Sequence, residues 1–371
     1  MTAQKPYRMI ISGGGTGGHV FPAIAIASAF KSRHPEAEIL FVGALGKMEM
    51  SKVPEAGFKI VGLWISGLQR RVTLKNLLFP LKLITSYFKA RSIVKEFAPH
   101  VVVGTGGYAS GPIMLAANRM GIPSLIQEQN SYAGLTNKKL AKKAMRICVA
   151  YPGMEKYFPA EKIAFTGNPV RNDLIDLANK RTAAGNHFEL NAQDQTLLIL
   201  GGSLGARTIN ESILSGLDKL IDAQVQVVWQ TGKVYYDDIK QKLADKNLRK
   251  VRVYDFIKPM DLAYAIGDVV ISRSGALAVS EICVAGKPAI LVPSPNVAED
   301  HQTKNATALV EENAAVLVKD TDARQSLVNE AMKLLCDKAE RDVLSGNAER
   351  LGRPSAANEI VMEIEKLIEC N

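Results

Sequence analysis

A few glycine clusters, with the polar residues beside them, carry the chemistry that this 371-residue sequence can offer. Gly201-Gly202-Ser203-Leu204-Gly205-Ala206 follows the apolar run Thr196–Leu200 and leads into a helical pattern. A strand that ends in glycines and opens a helix points free backbone N–H groups, and the positive end of a helix dipole, at one spot. Glycine lets backbone approach a phosphate closely, and the Ser203 hydroxyl can donate to a phosphate oxygen. Further along, Arg273-Ser274-Gly275 and the small residues Ala276, Leu277, Ala278, Val279 and Ser280 follow a second apolar run, Val269–Ser272. They leave room for a ligand, and Glu281, about two turns into the helix, can accept both hydroxyls of a ribose. These positions predict a nucleotide at the carboxyl ends of parallel strands. The Gly201–Ala206 turn lacks G-x-G-x-x-G spacing, which argues against a nicotinamide dehydrogenase.

The first half has its own pair of loops, Gly13-Gly14-Gly15-Thr16-Gly17-Gly18 after Arg8–Ser12 and Gly104-Thr105-Gly106-Gly107-Tyr108-Ala109-Ser110-Gly111-Pro112. In a basic domain, Gly14, Gly15, Gly106, Gly107, Tyr108 and Ser110 would suit a second phosphorylated ligand. His19 ends the first loop at a helix start, where the dipole opposes a cationic ring and leaves an imidazole able to accept a proton. Glu128, in Gln127-Glu128-Gln129-Asn130 after the run Ser124–Gln127, projects to the same edge. Either could serve as a general base, and the sequence leaves the choice open.

The elements that must position these residues are short apolar runs alternating with amphipathic stretches. Strands are predicted at Arg8–Ser12, Glu38–Val42, His100–Val103, Ser124–Gln127 and Arg146–Val149, then at Thr196–Leu200, Val225–Gln230, Val251–Tyr254, Val269–Ser272 and Ala289–Val292. Helices fall between them, for example Ala206–Leu220 and Ala276–Ala285. Runs apolar at every position and separated by helices mean parallel strands covered on both faces. The pattern is α/β, doubly wound, and it occurs twice. The expectation is two Rossmann-like domains facing across a cleft: residues 1–168, which would bind the acceptor and face the membrane, and residues 169–355, which would bind the nucleotide. A last helical stretch, 356–371, could pack back on the first domain or the second.

Composition bounds the partners. The net charge of +9 is uneven: residues 1–170 hold 22 Lys and Arg against 8 Glu and no Asp, a balance of +14, so the remainder carries −5. Such asymmetry suits an anionic partner such as a phosphorylated lipid or a membrane surface. The segment from Arg70 to Lys95 contains no acidic residue, and Leu74, Leu77, Leu81, Ile84 and Phe88 recur at helical spacing. With Lys75, Lys82 and Lys89 it predicts a peripheral membrane patch, or else a core helix with a solvated basic face. Pro80 marks a kink or a helix start there. No uncharged run approaches the roughly 20 residues of a membrane helix. No signal peptide is evident, and the four cysteines are scattered, so a cytosolic protein is expected. Five dispersed histidines and the lack of an Asp-x-Asp motif predict no metal and no cofactor.

The ordered motifs resemble a known family. Gly14-Gly15-Thr16-Gly17-Gly18-His19-Val20-Phe21-Pro22, Gly106 to Pro112, Gln127 to Asn130, Gly134-Leu135-Thr136-Asn137, Gly167-Asn168-Pro169-Val170-Arg171, Gly201 to Ala206 and Arg273 to Glu281 are similar, in this order, to those of the MurG family. That family comprises the UDP-N-acetylglucosamine (UDP-GlcNAc):undecaprenyl-pyrophosphoryl-MurNAc-pentapeptide N-acetylglucosaminyltransferases of glycosyltransferase family 28. The resemblance implies a GT-B fold, with the acceptor in the first domain and UDP-GlcNAc in the second. It implies that Thr16, Gly17 and Gly18 line the cleft, that Asn130 contacts the donor sugar, and that Arg171 and Ser203 belong to the nucleotide site. Ile257 would present its backbone to the uracil, Glu281 would hold the ribose, and Gln302 the sugar hydroxyls. The chain departs from better-known members in its extra-glycine start and in Pro293-Ser294-Pro295-Asn296 before Gln302.

The implied reaction is a single inverting displacement, in which the C4 hydroxyl of MurNAc in lipid I attacks the anomeric carbon and lipid II forms for the cell wall. UDP would leave as an anion held by N–H groups of the Gly201–Ala206 turn rather than by a metal. The implied place is the cytoplasmic face of the bacterial inner membrane, peripherally bound, with UDP-GlcNAc, lipid I and the anionic surface as partners and no nucleic acid. Competing readings are a UDP-GlcNAc 2-epimerase of the same architecture and a lipid-binding protein with relic nucleotide loops.

Overall fold

A computed structural model describes residues 6–67, 78–202, 204–246, 248–297 and 300–370. The chain divides into two compact units, Met1–Val170 with Ser355–Asn371, and Arg171–Pro354.

The first unit is built on a parallel seven-stranded sheet: β1 (Arg8–Gly13), β2 (Glu38–Ala44), β3 (Lys59–Leu63), β4 (Val101–Gly106), β5 (Ser124–Glu128), β6 (Arg146–Val149) and β7 (Ile163–Phe165). Their order is β3-β2-β1-β4-β5-β6-β7. The chain starts in the middle, winds outward to β3 and then returns to the other side of β1. Ile10 therefore lies between Leu40 and Val102 in register, and the carboxyl ends of β1 and β4 flank the point where the winding reverses. β4 is Val-Val-Val-Gly-Thr-Gly and buried throughout, as a strand covered by helices on both faces must be. The edge strands β3 and β7 are half-exposed, and neither stands out as an apolar run in the sequence.

Helix Gly17–Arg33 starts directly at the end of the first glycine loop and buries Val20, Ile26 and Phe30 against β1. Helix Phe79–Phe97 opens with Pro80 in its first turn, where the missing N–H is not needed. Proline thus starts this helix rather than bending it. It ends at Ala98, whose φ of 47° is left-handed. Helix Ala356–Glu369 belongs to this unit. Its Ile360, Val361 and Ile364 join Met9, Ile11 and Phe30 in one core. Arg33 pairs with Glu365 at 2.9 Å and Arg146 with Glu363 at 2.5 Å.

The second unit repeats the plan with six parallel strands: β8 (Thr196–Leu200), β9 (Gln226–Gln230), β10 (Val251–Tyr254), β11 (Val269–Ser272), β12 (Ala289–Leu291) and β13 (Val316–Leu317), ordered β10-β9-β8-β11-β12-β13. Here the winding reverses between β8 and β11. Helix Arg207–Asp222 follows β8, and helix Ala276–Val284 follows β11. Trp229 sits in the core with its indole N–H donating to Asn210 Oδ1 at 3.0 Å, so the buried ring leaves no orphaned donor.

Candidate functional site

In the second unit, the turn after β8 packs tightly on its neighbour. A side chain at Gly205 (φ 90°) would strike the Thr231 carbonyl and the Tyr235 ring, so only glycine fits. Gly205 donates its N–H to the Gly202 carbonyl at 3.2 Å, while Leu204 is exposed. Helix Arg207–Asp222 begins with no side-chain cap on Ala206, so its first-turn amides have no side-chain acceptor there. Ser203 lies outside the described residues.

Across the switch point, Gly275 leads into helix Ala276–Val284. Glu281, whose side chain is 15% exposed, places Oε1 3.1 Å from Arg171 Nε, and Tyr264 Oη lies 3.5 Å from Oε2. Burial pushes the Glu281 carboxyl above the usual carboxylate range, and the Arg171 guanidinium pulls the other way. The structure thus joins Arg171 and Glu281, which are 110 positions apart in the chain. The Val279 side chain packs in the core beside Ile282, so any contact with a ligand there would fall to its backbone. Ser280 donates its hydroxyl to the Ala276 carbonyl within the helix.

Ile257 gives its N–H to Gln230 Oε1 at 2.9 Å, so only its carbonyl is left to meet a base. Gln302 accepts from the Ser294 N–H at 2.9 Å, and its Nε2 has no partner among the described residues. The Ser274 hydroxyl donates to the Gln302 carbonyl at 2.8 Å, tying helix His301–Glu311 to the loop after β11. Arg273 is held at the same sheet end by the carbonyls of Val292 and Pro293 and by Asp320.

In the first unit, the loops after β1 and β4 interlock. The Thr105 hydroxyl donates to the His19 carbonyl at 2.7 Å. Thr16 precedes helix Gly17–Arg33 with its side chain exposed and making no cap, and Gly18 beside it is exposed too. His19 Nδ1 is 3.0 Å from Gln129 Oε1. Glu128, by contrast, is buried and saturated. Its Oε2 accepts from Gly134 N at 2.9 Å and Asn137 Nδ2 at 2.8 Å, its Oε1 from Asn130 N at 3.1 Å and Asn130 Nδ2 at 3.3 Å.

Sequence reasoning missed Glu49. This buried carboxylate accepts from the N–H groups of Gly15 and Ala44, at 3.1 Å and 3.0 Å, under the first glycine loop. The Gly15 amide is therefore already engaged. Ser110 is buried, and its hydroxyl proton is engaged by the Gly107 carbonyl at 3.0 Å. The half-buried Tyr108 lies beside Gly15 and Gly67, and burial, with Glu49 second, raises its phenol above the ordinary value. Among the described residues no three His, Cys, Asp or Glu side chains gather as a metal site.

Helix Phe79–Phe97 exposes Leu81 (50%), Ile84 (55%) and Phe88 (60%), with Leu78, Leu83 and Trp64 also open to solvent. Lys82 and Lys89 each make one contact with the rest of the unit through a neutral acceptor. Lys82 Nζ donates to Ser66 Oγ at 3.1 Å and lies 5.5 Å from the centre of the Trp64 ring, and Lys89 Nζ donates to the Gly62 carbonyl at 2.8 Å. Arg91 and Lys95 are exposed. Lys75 and Leu77 lie outside the described residues. Among the described residues no helix is long and apolar enough to cross a membrane.

Two doubly wound units, each with a glycine-rich turn at its switch point, define the GT-B class of nucleotide-sugar enzymes. Within that class the chain belongs to glycosyltransferase family 28, whose N-terminal domain model matches residues 9–149 and whose C-terminal domain model matches residues 196–360. It is 55% identical, over 99% of both chains, to the UDP-N-acetylglucosamine--N-acetylmuramyl-(pentapeptide) pyrophosphoryl-undecaprenol N-acetylglucosamine transferase of Cytophaga hutchinsonii. It is 30% identical to Acinetobacter baumannii MurG in its crystal structure, with a TM-score of 0.78 over 97% of this chain and 100% of that one. A UDP-N-acetylglucosamine 2-epimerase structure, 16% identical with a TM-score of 0.62 over 97% of this chain and 95% of that one, shares the fold alone.

Proposed function

We propose that this enzyme transfers N-acetylglucosamine from UDP-GlcNAc to the C4 hydroxyl of MurNAc in undecaprenyl-diphospho-MurNAc-pentapeptide, inverting the anomeric centre and forming lipid II for peptidoglycan, on which cell shape and division depend. The observation that carries this reading is the 55% identity with a transferase of that name across 99% of both chains.

The nucleotide belongs to the second unit. Glu281 holds the ribose, with Arg171 beside it. The amides that begin helix Arg207–Asp222 take the diphosphate, stabilising UDP as it departs. The Ile257 carbonyl meets the uracil, and the unpartnered Gln302 Nε2 meets a sugar hydroxyl. In the first unit, His19 is the general base. Its ring makes a single hydrogen bond through Nδ1, which leaves Nε2 for the attacking hydroxyl, whereas all four contacts of Glu128 are spent on its own loop. Positioned proton abstraction contributes about 10²–10⁴-fold. Thr16, Gly17 and Gly18 line the cleft and, with Asn130, contact UDP-GlcNAc at its transferred sugar, while Gly14, Gly106, Gly107 and Tyr108 border the lipid diphosphate.

The acceptor hangs from a polyprenyl chain, so the enzyme works at a membrane surface. The exposed Leu81, Ile84 and Phe88 dip into the interface of the cytoplasmic leaflet, with Arg91 and Lys95 toward its anionic headgroups. The deciding experiment follows labelled GlcNAc from UDP-GlcNAc into a butanol-extractable lipid in the presence of lipid I. Label that stays water-soluble, with UDP-N-acetylmannosamine appearing instead, would mean an epimerase.

A further inference from the structure

We infer that Gln129 is a positioning residue that fixes the tautomer of His19, so that Nε2 is the nitrogen left to accept the proton. The inference deepens the reading of His19 as the base and rests on it.

Gln129 is buried, and its amide orientation is determined by what surrounds it. Its Nε2 faces the Thr105 carbonyl at 2.7 Å, the Gln127 carbonyl at 3.0 Å and, closer still, Gln127 Oε1. Backbone carbonyls only accept, so the NH2 group must lie on that side; reversing the amide would set oxygen against oxygen. Oε1 is thereby aimed at His19 Nδ1, 3.0 Å away. An amide oxygen also only accepts, so in the neutral ring Nδ1 carries the hydrogen and Nε2 the lone pair. An unconstrained imidazole side chain favours the opposite form, with the proton on Nε2.

The support continues outward. Asn168 Nδ2 donates to the Gln129 carbonyl at 2.9 Å, and Asn168 Oδ1 accepts from Gln127 Nε2 at 3.0 Å, closing a buried circuit of amides. Thr105 holds both partners, Gln129 through its carbonyl and the His19 backbone through its hydroxyl. The ring is confined as well. A Cβ at Gly106 would lie 3.1 Å from Nδ1, and one at Gly107 3.1 Å from Cδ2. No hydrogen bond to His19 Nε2 exists among the described residues.

The test is a long-range nitrogen–proton correlation spectrum of the full chain labelled with ¹⁵N-histidine, recorded at a pH where imidazoles are neutral. The His19 signal is assigned by its loss in His19→Gln. Expected in the wild type is a protonated Nδ1 and an unprotonated Nε2. In Gln129→Leu the signal should move toward the opposite tautomer, and kcat should fall by about tenfold or more while KM for both substrates changes little. A wild-type ring with its proton on Nε2 overturns the inference, whatever the variant does. So does a folded Gln129→Leu chain that keeps the Nδ1–H tautomer and full kcat. The spectrum tests Gln129 alone and turnover of His19→Ala tests the base reading alone, so the two failures are distinguishable.

Discussion

Arg171 and Glu281 meet at 3.1 Å, with the Glu281 side chain largely covered and Arg171 more open. Desolvation outweighs the guanidinium, so the carboxyl is raised above its ordinary value. A raised acid binds its proton more tightly folded than unfolded. The cost of burying its charge is absent at low pH and grows as pH rises from the unfolded value through the folded one. Glu281→Gln should therefore melt higher than the wild type near pH 8, with the difference vanishing toward about pH 4. The same variant should raise KM for UDP-GlcNAc about tenfold, through loss of a charge-assisted hydrogen bond worth about 1.5–3 kcal/mol. Thermal melts across pH and donor titrations check the two halves; an unchanged KM removes Glu281 from the ribose.

His19 and Glu128 should fail in different ways. His19→Ala should lower kcat by about 10²–10⁴-fold with UDP affinity and melting temperature nearly unchanged. Glu128→Ala strands several buried N–H donors, at about 1–3 kcal/mol each, and should lower the melting temperature first. If Glu128→Ala stays folded and inactive while His19→Ala turns over, the base is Glu128.

Glu49 is predicted to matter although it is buried beneath the loop. Glu49→Ala leaves the amides of Gly15 and Ala44 without an acceptor, a loss of about 2–5 kcal/mol seen in denaturant unfolding. Glu49→Gln keeps the shape but offers only one acceptor oxygen, so it should fall between. KM for lipid I should rise in Glu49→Gln while KM for UDP-GlcNAc holds; an equal change in both would dissociate Glu49 from the acceptor side.

The apolar face of helix Phe79–Phe97 can be tested without harming the fold, because Leu81, Ile84 and Phe88 are each at least half exposed. Replacing Leu81, Ile84 and Phe88 by Ser should abolish sedimentation with anionic vesicles and slow turnover on membrane-bound acceptor. The melting temperature and activity on a short-chain soluble acceptor should be kept. Persisting vesicle binding would place the membrane contact elsewhere.

The sequence made the central strands legible because each is a run buried on both faces, such as Val101-Val102-Val103 or Leu197-Leu198-Ile199. β3, β7 and β13 escaped notice because edge strands are short and half wet, so their residues need not be continuously apolar. The glycine turns and Glu281 were legible from type and local spacing. Glu49 was not: it reaches Gly15 across 34 positions, and nothing beside it in the chain marks it. Charge and spacing alone singled out Lys82 and Lys89, but their contacts with Ser66 and Gly62 were not legible, because only the tertiary fold brings those partners near.

Helix Ala356–Glu369 completes the core of the first unit, yet the whole second unit precedes it in the chain. A ribosome working at about 5–20 residues per second needs about 10–40 s to make residues 171–354 before it reaches that helix. During that interval Met9, Ile11 and Phe30 lack one of their covering partners. The unit translated first thus completes its core only after the whole of the second has been made, and its cooperativity depends on chain that arrives last.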